Sequence, residues 1–165
     1  MTSATADVKP RLRGVSHLYA FFVAFVLGIV TVLTAPPGTA TLGATIYAIG
    51  LTAMFGASAL YHRPRWSPKQ AAWFLQLDHS AIFVMIAGTC TPIALLALDG
   101  TMRAVVLALV WTIALAGIVF EWLPVAAPNG YTTTVYLSFG WIGVLGFAGL
   151  WEHTGALGVA LIAGG

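Results

Sequence analysis

The sequence predicts an all-α integral membrane bundle, and three observations support this fold class. Apolar residues make up 59% of the 165-residue chain and charged residues only 7%, with a mean hydropathy of +0.93. Seven basic and five acidic residues cannot solvate a globule of this size, since soluble domains carry about a quarter of their residues as Asp, Glu, Lys and Arg. Five apolar stretches of about the length that a helix needs to cross hydrocarbon follow one another along the chain. A water-soluble globule is therefore excluded.

Residues 1–15 are predicted to form a polar, basic leader. They carry Lys9, Arg11 and Arg13 and contain no apolar run. Residues 16–165 are predicted to form a single transmembrane helical domain. A secretory signal is disfavoured, because two prolines follow the first apolar stretch and further spans come after it.

Proline, glycine and charged residues end the apolar stretches and so define the predicted spans. Every span must be helical, because an unpaired backbone N–H or C=O group costs several kcal/mol in hydrocarbon. The last dozen residues supply about half the length of a crossing, so we expect the chain to end inside its sixth span. The predicted spans are 18–34, 41–61, 71–98, 102–123, 133–151 and a partial span at 154–165.

The basic residues predict the orientation in the membrane. Six of the seven fall on one side of these spans, and the positive-inside rule places that side, with the N-terminus, in the cytoplasm. We expect a multi-pass protein of the plasma membrane whose partners are membrane lipids. A net charge of +2 without a basic stripe excludes nucleic acid, and the oligomeric state is not indicated. Arg103 is the exception to the six, which are Lys9, Arg11, Arg13, Arg63, Arg65 and Lys69.

The candidate site consists of three polar residues near the cytoplasmic ends of the second and third spans: Ser58, His62 and Asp78. Ser58 and His62 are four residues apart and so share one helix face. Asp78 lies about two turns into the next span. Because a short loop joins the two spans, His62 and Asp78 should lie at similar depth. An ionisable group inside a span costs about 2.5 kcal/mol or more, so we expect these side chains to face the bundle interior.

Two interpretations of this group remain open on spacing. Imidazole and carboxylate groups ligate zinc, and zinc lowers the pKa of a bound water toward about 7, which suits hydrolysis. One histidine and one aspartate fall short of the three protein ligands that a catalytic zinc requires. The alternative, favoured by spacing alone, is a hydrogen-bonded polar cluster that fixes helix packing at about 1 kcal/mol per contact.

Three other ionisable residues are given structural roles. His79 points about 100° around the helix from Asp78, so we expect it to be an interfacial or inter-helix hydrogen bonder. His17, at the start of the first span, is expected to be interfacial, with a ligand role as the less favoured alternative. Glu121, at the cytoplasmic end of the fourth span, is expected to be solvated.

Several sequence blocks resemble a known family over nearly the whole chain after the leader. They are Ser58-Ala59-Leu60-Tyr61-His62-Arg63, Leu77-Asp78-His79-Ser80, Ile86-Ala87-Gly88-Thr89-Cys90-Thr91-Pro92, Trp141-Ile142-Gly143 and Ala163-Gly164-Gly165. Together these blocks resemble the haemolysin III group, the bacterial branch of the progestin and adiponectin receptor (PAQR) superfamily. The resemblance implies a seven-helix bundle with its N-terminus in the cytoplasm, here truncated within the sixth span.

The resemblance also implies a zinc ion near the cytoplasmic side. His62 matches the family's zinc ligand of the second span, Asp78 the aspartate that holds a metal-bound water, and Ser58 the serine that supports the site. Two further ligands would come from a His-x3-His pair on a seventh, C-terminal helix that this sequence lacks, so we expect an incomplete zinc site. The acidic-and-asparagine motif in the leader of many relatives is replaced by Arg11-Leu12-Arg13-Gly14-Val15-Ser16-His17.

These implications lead us to expect a zinc-dependent, ceramidase-like hydrolase of lipid amides such as amide-linked sphingolipids. Asp78 and Ser58 would be its catalytic residues and His62 its metal ligand. One alternative is a pore-forming cytolysin, as the family's name implies, although the spans carry no ring of charged residues typical of a pore. The other alternative is a membrane sensor or receptor that uses zinc structurally.

Overall fold

The computed structural model describes residues 14–124 and 131–140, which form five helices. These are α1 (Val15–Thr34), α2 (Thr39–His62), α3 (Pro68–Ala97), α4 (Gly100–Trp122) and α5 (Tyr131–Gly140). The first four are long and apolar enough to cross a membrane, which confirms the prediction of an all-α membrane bundle. Most of the leader, residues 141–151 of the fifth predicted span, the partial span at 154–165 and the implied seventh helix lie outside the described residues.

Each helix begins two or three residues before the span predicted for it, because polar and turn-forming residues supply the first turn. The start of α3 shows the cause most clearly. The Ser67 hydroxyl accepts a bond from the backbone N–H of Gln70, the Gln70 side chain accepts one from the backbone N–H of Ser67, and Pro68 occupies the first helical position. This capping box satisfies backbone donors that the helix itself leaves without a partner.

Helix α3 lies at the centre of the described bundle. It packs against α2, α4 and α5, while α1 packs against α2. Small residues bring α2 and α3 together: a Cβ added at Gly50 would lie 3.3 Å from the Val84 carbonyl oxygen, and one at Gly88 would lie 3.3 Å from that of Ile46. Such close backbone approach is the usual means of packing helices in lipid.

The buried core lies on the other side of α3, toward α4 and α5. Its members are mostly small or β-branched, apart from two phenylalanines, and the whole set is Phe83, Ala87, Cys90, Ala94, Val106, Val110, Ala114 and Phe139. In contrast, the outer face of α1 exposes large apolar side chains, including Phe22 at 58% and Leu33 at 78%. An exposed apolar surface of this kind suits contact with lipid.

The Phe83 ring occupies a notch at Gly117, which leads to a prediction about stability. Phe83 is only 2% exposed, and a Cβ added at Gly117 would overlap its ring. Helix propensity favours alanine over glycine by about 1 kcal/mol, but overpacking costs about 1–3 kcal/mol. We therefore expect Gly117→Ala to lower the thermal unfolding midpoint in detergent.

The matched control is Leu115→Ala on the lipid-facing side of the same helix, where the leucine is 59% exposed and little change is expected. Combining Gly117→Ala with Phe83→Leu should recover part of the loss, since the smaller side chain vacates the notch. A rise in the midpoint for Gly117→Ala alone would contradict the close packing of α3 on α4.

Candidate functional site

His62 and Asp78 meet at one end of the bundle. His62 is the last residue of α2, and Asp78 lies about three turns into α3. The distance from His62 Nε2 to Asp78 Oδ2 is 3.9 Å, and the two side chains are 22% and 13% exposed. The structure thus places both residues at a shared depth, as the short loop between their helices predicted.

The loop between α2 and α3 is held by contacts of its own. Trp66 Nε1 donates a hydrogen bond of 2.9 Å to the Leu60 carbonyl oxygen, and the indole stacks on Phe74 with ring centroids 4.1 Å apart. The capping box at Ser67 then starts α3. These contacts fix where α2 ends and α3 begins, and so they fix the relative depth of His62 and Asp78.

Ser58 lies one turn before His62 on α2 and is 4% exposed. Its Oγ is 2.6 Å from Nδ1 of His17, near the start of α1. The His17 ring also makes an edge contact with Phe55, with centroids 5.6 Å apart. The structure therefore adds His17 to the candidate site, a contact that the sequence reasoning missed. The sequence did contain one indication of this contact, because α1 begins at the membrane face where α2 ends, which places His17 and Ser58 at a similar depth.

The first residue described, Gly14, lies directly against His62. Its φ of +75° is in the left-handed region that favours glycine. A Cβ at Gly14 would lie 2.6 Å from the His62 Cβ. The start of α1 thus covers the last turn of α2 at two points, Gly14 on His62 and His17 on Ser58.

A second polar cluster lies on the opposite side of α3 at the same end of the bundle. His79 Nδ1 is 3.1 Å from Glu121 Oε2, and Gln76 Nε2 donates to the Glu121 carbonyl oxygen at 3.1 Å. The Tyr136 hydroxyl donates to the His79 carbonyl oxygen at 3.0 Å. His79 is an inter-helix hydrogen bonder, as expected. The expectation that Glu121 is simply solvated is wrong, because its side chain is 12% exposed and pairs with His79.

The His62 and Asp78 pair suits zinc in chemistry and spacing but is short of ligands. Ligands bonded to a tetrahedral zinc at about 2.0–2.2 Å lie roughly 3.4 Å apart, which is near the observed 3.9 Å. Within residues 14–124 and 131–140, no three His, Cys, Asp or Glu side chains are grouped so as to hold a metal. The pair therefore offers two donors where a catalytic zinc takes at least three from protein.

The comparisons of this chain with known proteins agree on one family. The family model described as "Haemolysin-III related" matches residues 6–164. The chain is 31% identical to "Hemolysin-3" of Bacillus cereus over 169 aligned positions, which cover all of this chain and 77% of that protein. It is 35% identical to "Hemolysin-3 homolog" of Bacillus subtilis (strain 168) over 119 aligned positions. These positions cover 72% of this chain and 55% of that relative. No solved structure gives a significant match.

The pair of His79 with Glu121 should contribute measurably to stability. The Glu121 side chain is 12% exposed and the His79 side chain 35% exposed, and a hydrogen bond to a charged group at such a partly buried site contributes about 1–3 kcal/mol. We expect Glu121→Ala to lower the thermal unfolding midpoint in detergent by several degrees. Asp99→Ala is the matched control, since Asp99 is 89% exposed in its pair with Arg103 and such pairs contribute little. Equal effects of the two substitutions would show that Glu121 is not held in the bundle as described.

Proposed function

This multi-pass membrane protein belongs to the haemolysin-III-related family, and we propose that it provides part of the site of a zinc-dependent hydrolase of lipid amides. The observation that carries the proposal is the meeting of His62 and Asp78, 3.9 Å apart and partly buried at one end of the bundle. That spacing is longer than a hydrogen bond and short enough for both side chains to act on one bound ion or water.

Each residue of the site has a role that follows from its chemistry. Bound zinc would act as a Lewis acid and lower the pKa of a bound water toward about 7. His62 would hold the ion through Nε2, and Asp78 would orient the water and accept its proton. The Ser58 hydroxyl would donate a hydrogen bond to the negative charge that develops on the scissile carbonyl oxygen. The remaining ligands are proposed to come from a His-x3-His pair on a C-terminal helix outside the described residues.

An apolar groove supports the choice of a lipid substrate. It has a volume of about 760 Å³ and is lined by side chains of α1, α2 and α3, among them Leu33 and Phe21. At the polar end its walls include Leu60 and Leu77, each within two residues of His62 or Asp78. A hydrocarbon chain in this groove would bring an attached amide toward the site.

We also propose that the site faces the cytoplasm of a cell whose plasma membrane holds the protein. Arg63, Arg65 and Lys69 flank the loop beside the site, and the positive-inside rule assigns such a loop to the cytoplasm. Arg103, the one lysine or arginine at the opposite end within residues 14–124 and 131–140, donates to Asp99 Oδ1 at 2.8 Å. Its charge is thereby balanced locally.

The names of the relatives favour a second candidate, a cytolysin that opens membranes. A pore is independent of metal and of His62 chemistry, whereas a hydrolase requires both. A sensor with structural zinc, the third candidate, needs His62 for the metal and needs no hydrolysis from Asp78. Metal content, hydrolysis and leakage therefore separate the three candidates.

The deciding assay uses the chain lengthened at its C-terminus by a helix carrying the His-x3-His pair, reconstituted in vesicles with a ceramide as substrate. We expect His62→Ala and Asp78→Ala each to lower kcat at least 100-fold, because each removes a group that acts on the reacting atoms. His62→Ala should also lose zinc. Release of a trapped dye that persists without metal would support the cytolysin instead, and zinc binding with no hydrolysis in any variant would support the sensor.

The 165-residue chain itself is expected to hold no tight, one-to-one zinc after dialysis against metal-free buffer. His62, the one proposed ligand among the described residues, does not complete a tetrahedral site, so affinity should appear only in the lengthened chain. Elemental analysis of the two proteins side by side measures this. Stoichiometric zinc in the 165-residue chain that survives dialysis would contradict the proposed ligand set.

A further inference from the structure

The hydroxyl of Ser58 has a different kind of partner from the hydroxyls of five helical threonines of the described bundle. Five threonines donate to the backbone carbonyl four residues earlier, at 2.7–2.9 Å: Thr31, Thr34, Thr45, Thr89 and Thr91. This local bond is the common choice for a hydroxyl within a helix. Ser58 instead meets a side chain of another helix, with 2.6 Å between its Oγ and His17 Nδ1. The Ser58 Oγ is thus held by a side chain of α1.

The bond between His17 and Ser58 has two possible directions with opposite consequences. If Ser58 donates to Nδ1, its proton points toward α1 and only its lone pairs remain for the site. If Nδ1–H donates, the Ser58 proton is released to turn toward His62, one turn along the same face. Only the second arrangement gives Ser58 a hydrogen-bond donor for a developing negative charge.

We propose that His17 is a positioning residue, which donates its Nδ1–H to Ser58 Oγ and so directs the Ser58 hydroxyl proton into the site. This inference rests on the proposed function, because it assigns a direction to the donor that the function requires of Ser58. His17 would not touch the substrate, and it would act only through Ser58.

The surroundings of His17 fix the ring as this role demands. Phe55 meets the imidazole at an interplanar angle of 70° with centroids 5.6 Å apart. Gly14, one turn earlier on the chain, is held against His62 by the close approach of its backbone. The start of α1 therefore contacts α2 at His62 and at Phe55, on either side of the bond between His17 and Ser58. The ring contact with Phe55 and the seating of the backbone at Gly14 together keep Nδ1 aimed at the buried hydroxyl.

The proton on His17 is measured directly by nitrogen NMR of the 165-residue chain, labelled with ¹⁵N-histidine in lipid nanodiscs. His17→Phe assigns the resonances by their loss while keeping a ring against Phe55. We expect Nδ1 to carry the proton and its resonance to shift in Ser58→Ala, which removes the acceptor. A neutral His17 with its proton on Nε2 would overturn the proposal, because Nδ1 would then be the acceptor.

Activity provides a second test in the lengthened chain. Asparagine places an amide N–H near the position of Nδ1–H, whereas glutamine places one near Nε2–H. His17→Asn should therefore retain most of kcat, while His17→Gln and His17→Phe lose about tenfold with KM unchanged, as for one lost hydrogen bond in the transition state. Tyr19→Phe, at a residue 69% exposed on the same end of α1, is the matched control and should change nothing.

The two tests separate failure of the positioning role from failure of the proposed function. Equal losses in the Asn, Gln and Phe variants would show that His17 serves packing only and would overturn the proposal while hydrolysis stands. Losses of His17→Phe and Ser58→Ala that multiply in the double variant would also overturn it, because residues acting as a unit are not additive. If the wild type hydrolyses nothing, the proposed function fails, and the NMR measurement still decides which nitrogen carries the proton.

Discussion

The cost of leaving a polar group without a partner in hydrocarbon governs the described structure. Each described helix satisfies most of its backbone within the helix, but Ser58 and Glu121 bond side chains of other helices, and Asp78 lies 3.9 Å from His62 of α2. These residues lie at the same end of the bundle, where α2 and α4 end and α3 begins. The ionisable side chains that link different helices thus share one layer, while the described core beyond it is packed mainly from small and apolar residues, with one polar contact between Trp111 and Thr91.

Close packing turns that layer into a defined site. Gly43 lies so near Pro92 that an added Cβ would be 3.0 Å from the proline Cα, and the corresponding distances at Gly50 and Gly88, further along the interface, are 3.3 Å. Small-residue contacts of this kind fix both the separation and the sliding position of two helices in lipid. The distance between His62 and Asp78 is thus set by an interface that extends well beyond the polar layer, toward the opposite end of α2.

The sequence was sufficient to predict at what depth in the membrane each helix and site residue lies. It was insufficient to predict how each helix is rotated about its own axis. Hydropathy and turn residues placed the helices to within a few residues, and the short loop placed His62 and Asp78 at one level. The contact of His17 with Ser58 and that of His79 with Glu121 depend on which faces of α1 and α4 turn inward. Those rotations follow from packing against neighbours, since these helices are apolar all round and carry little amphipathic signal.

Consecutive residues of α3 link the two polar clusters. Asp78 faces α2 and the candidate site, and His79, about 100° further around the helix, faces α4. Any rotation of α3 that moves Asp78 toward His62 also moves His79 relative to Glu121, and the Tyr136 bond to the His79 carbonyl oxygen restrains the same turn of backbone. The second cluster therefore holds the rotation of the helix that carries Asp78. A pair of groups that must keep a spacing of a few ångströms to act on one substrate needs such restraint in addition to close packing.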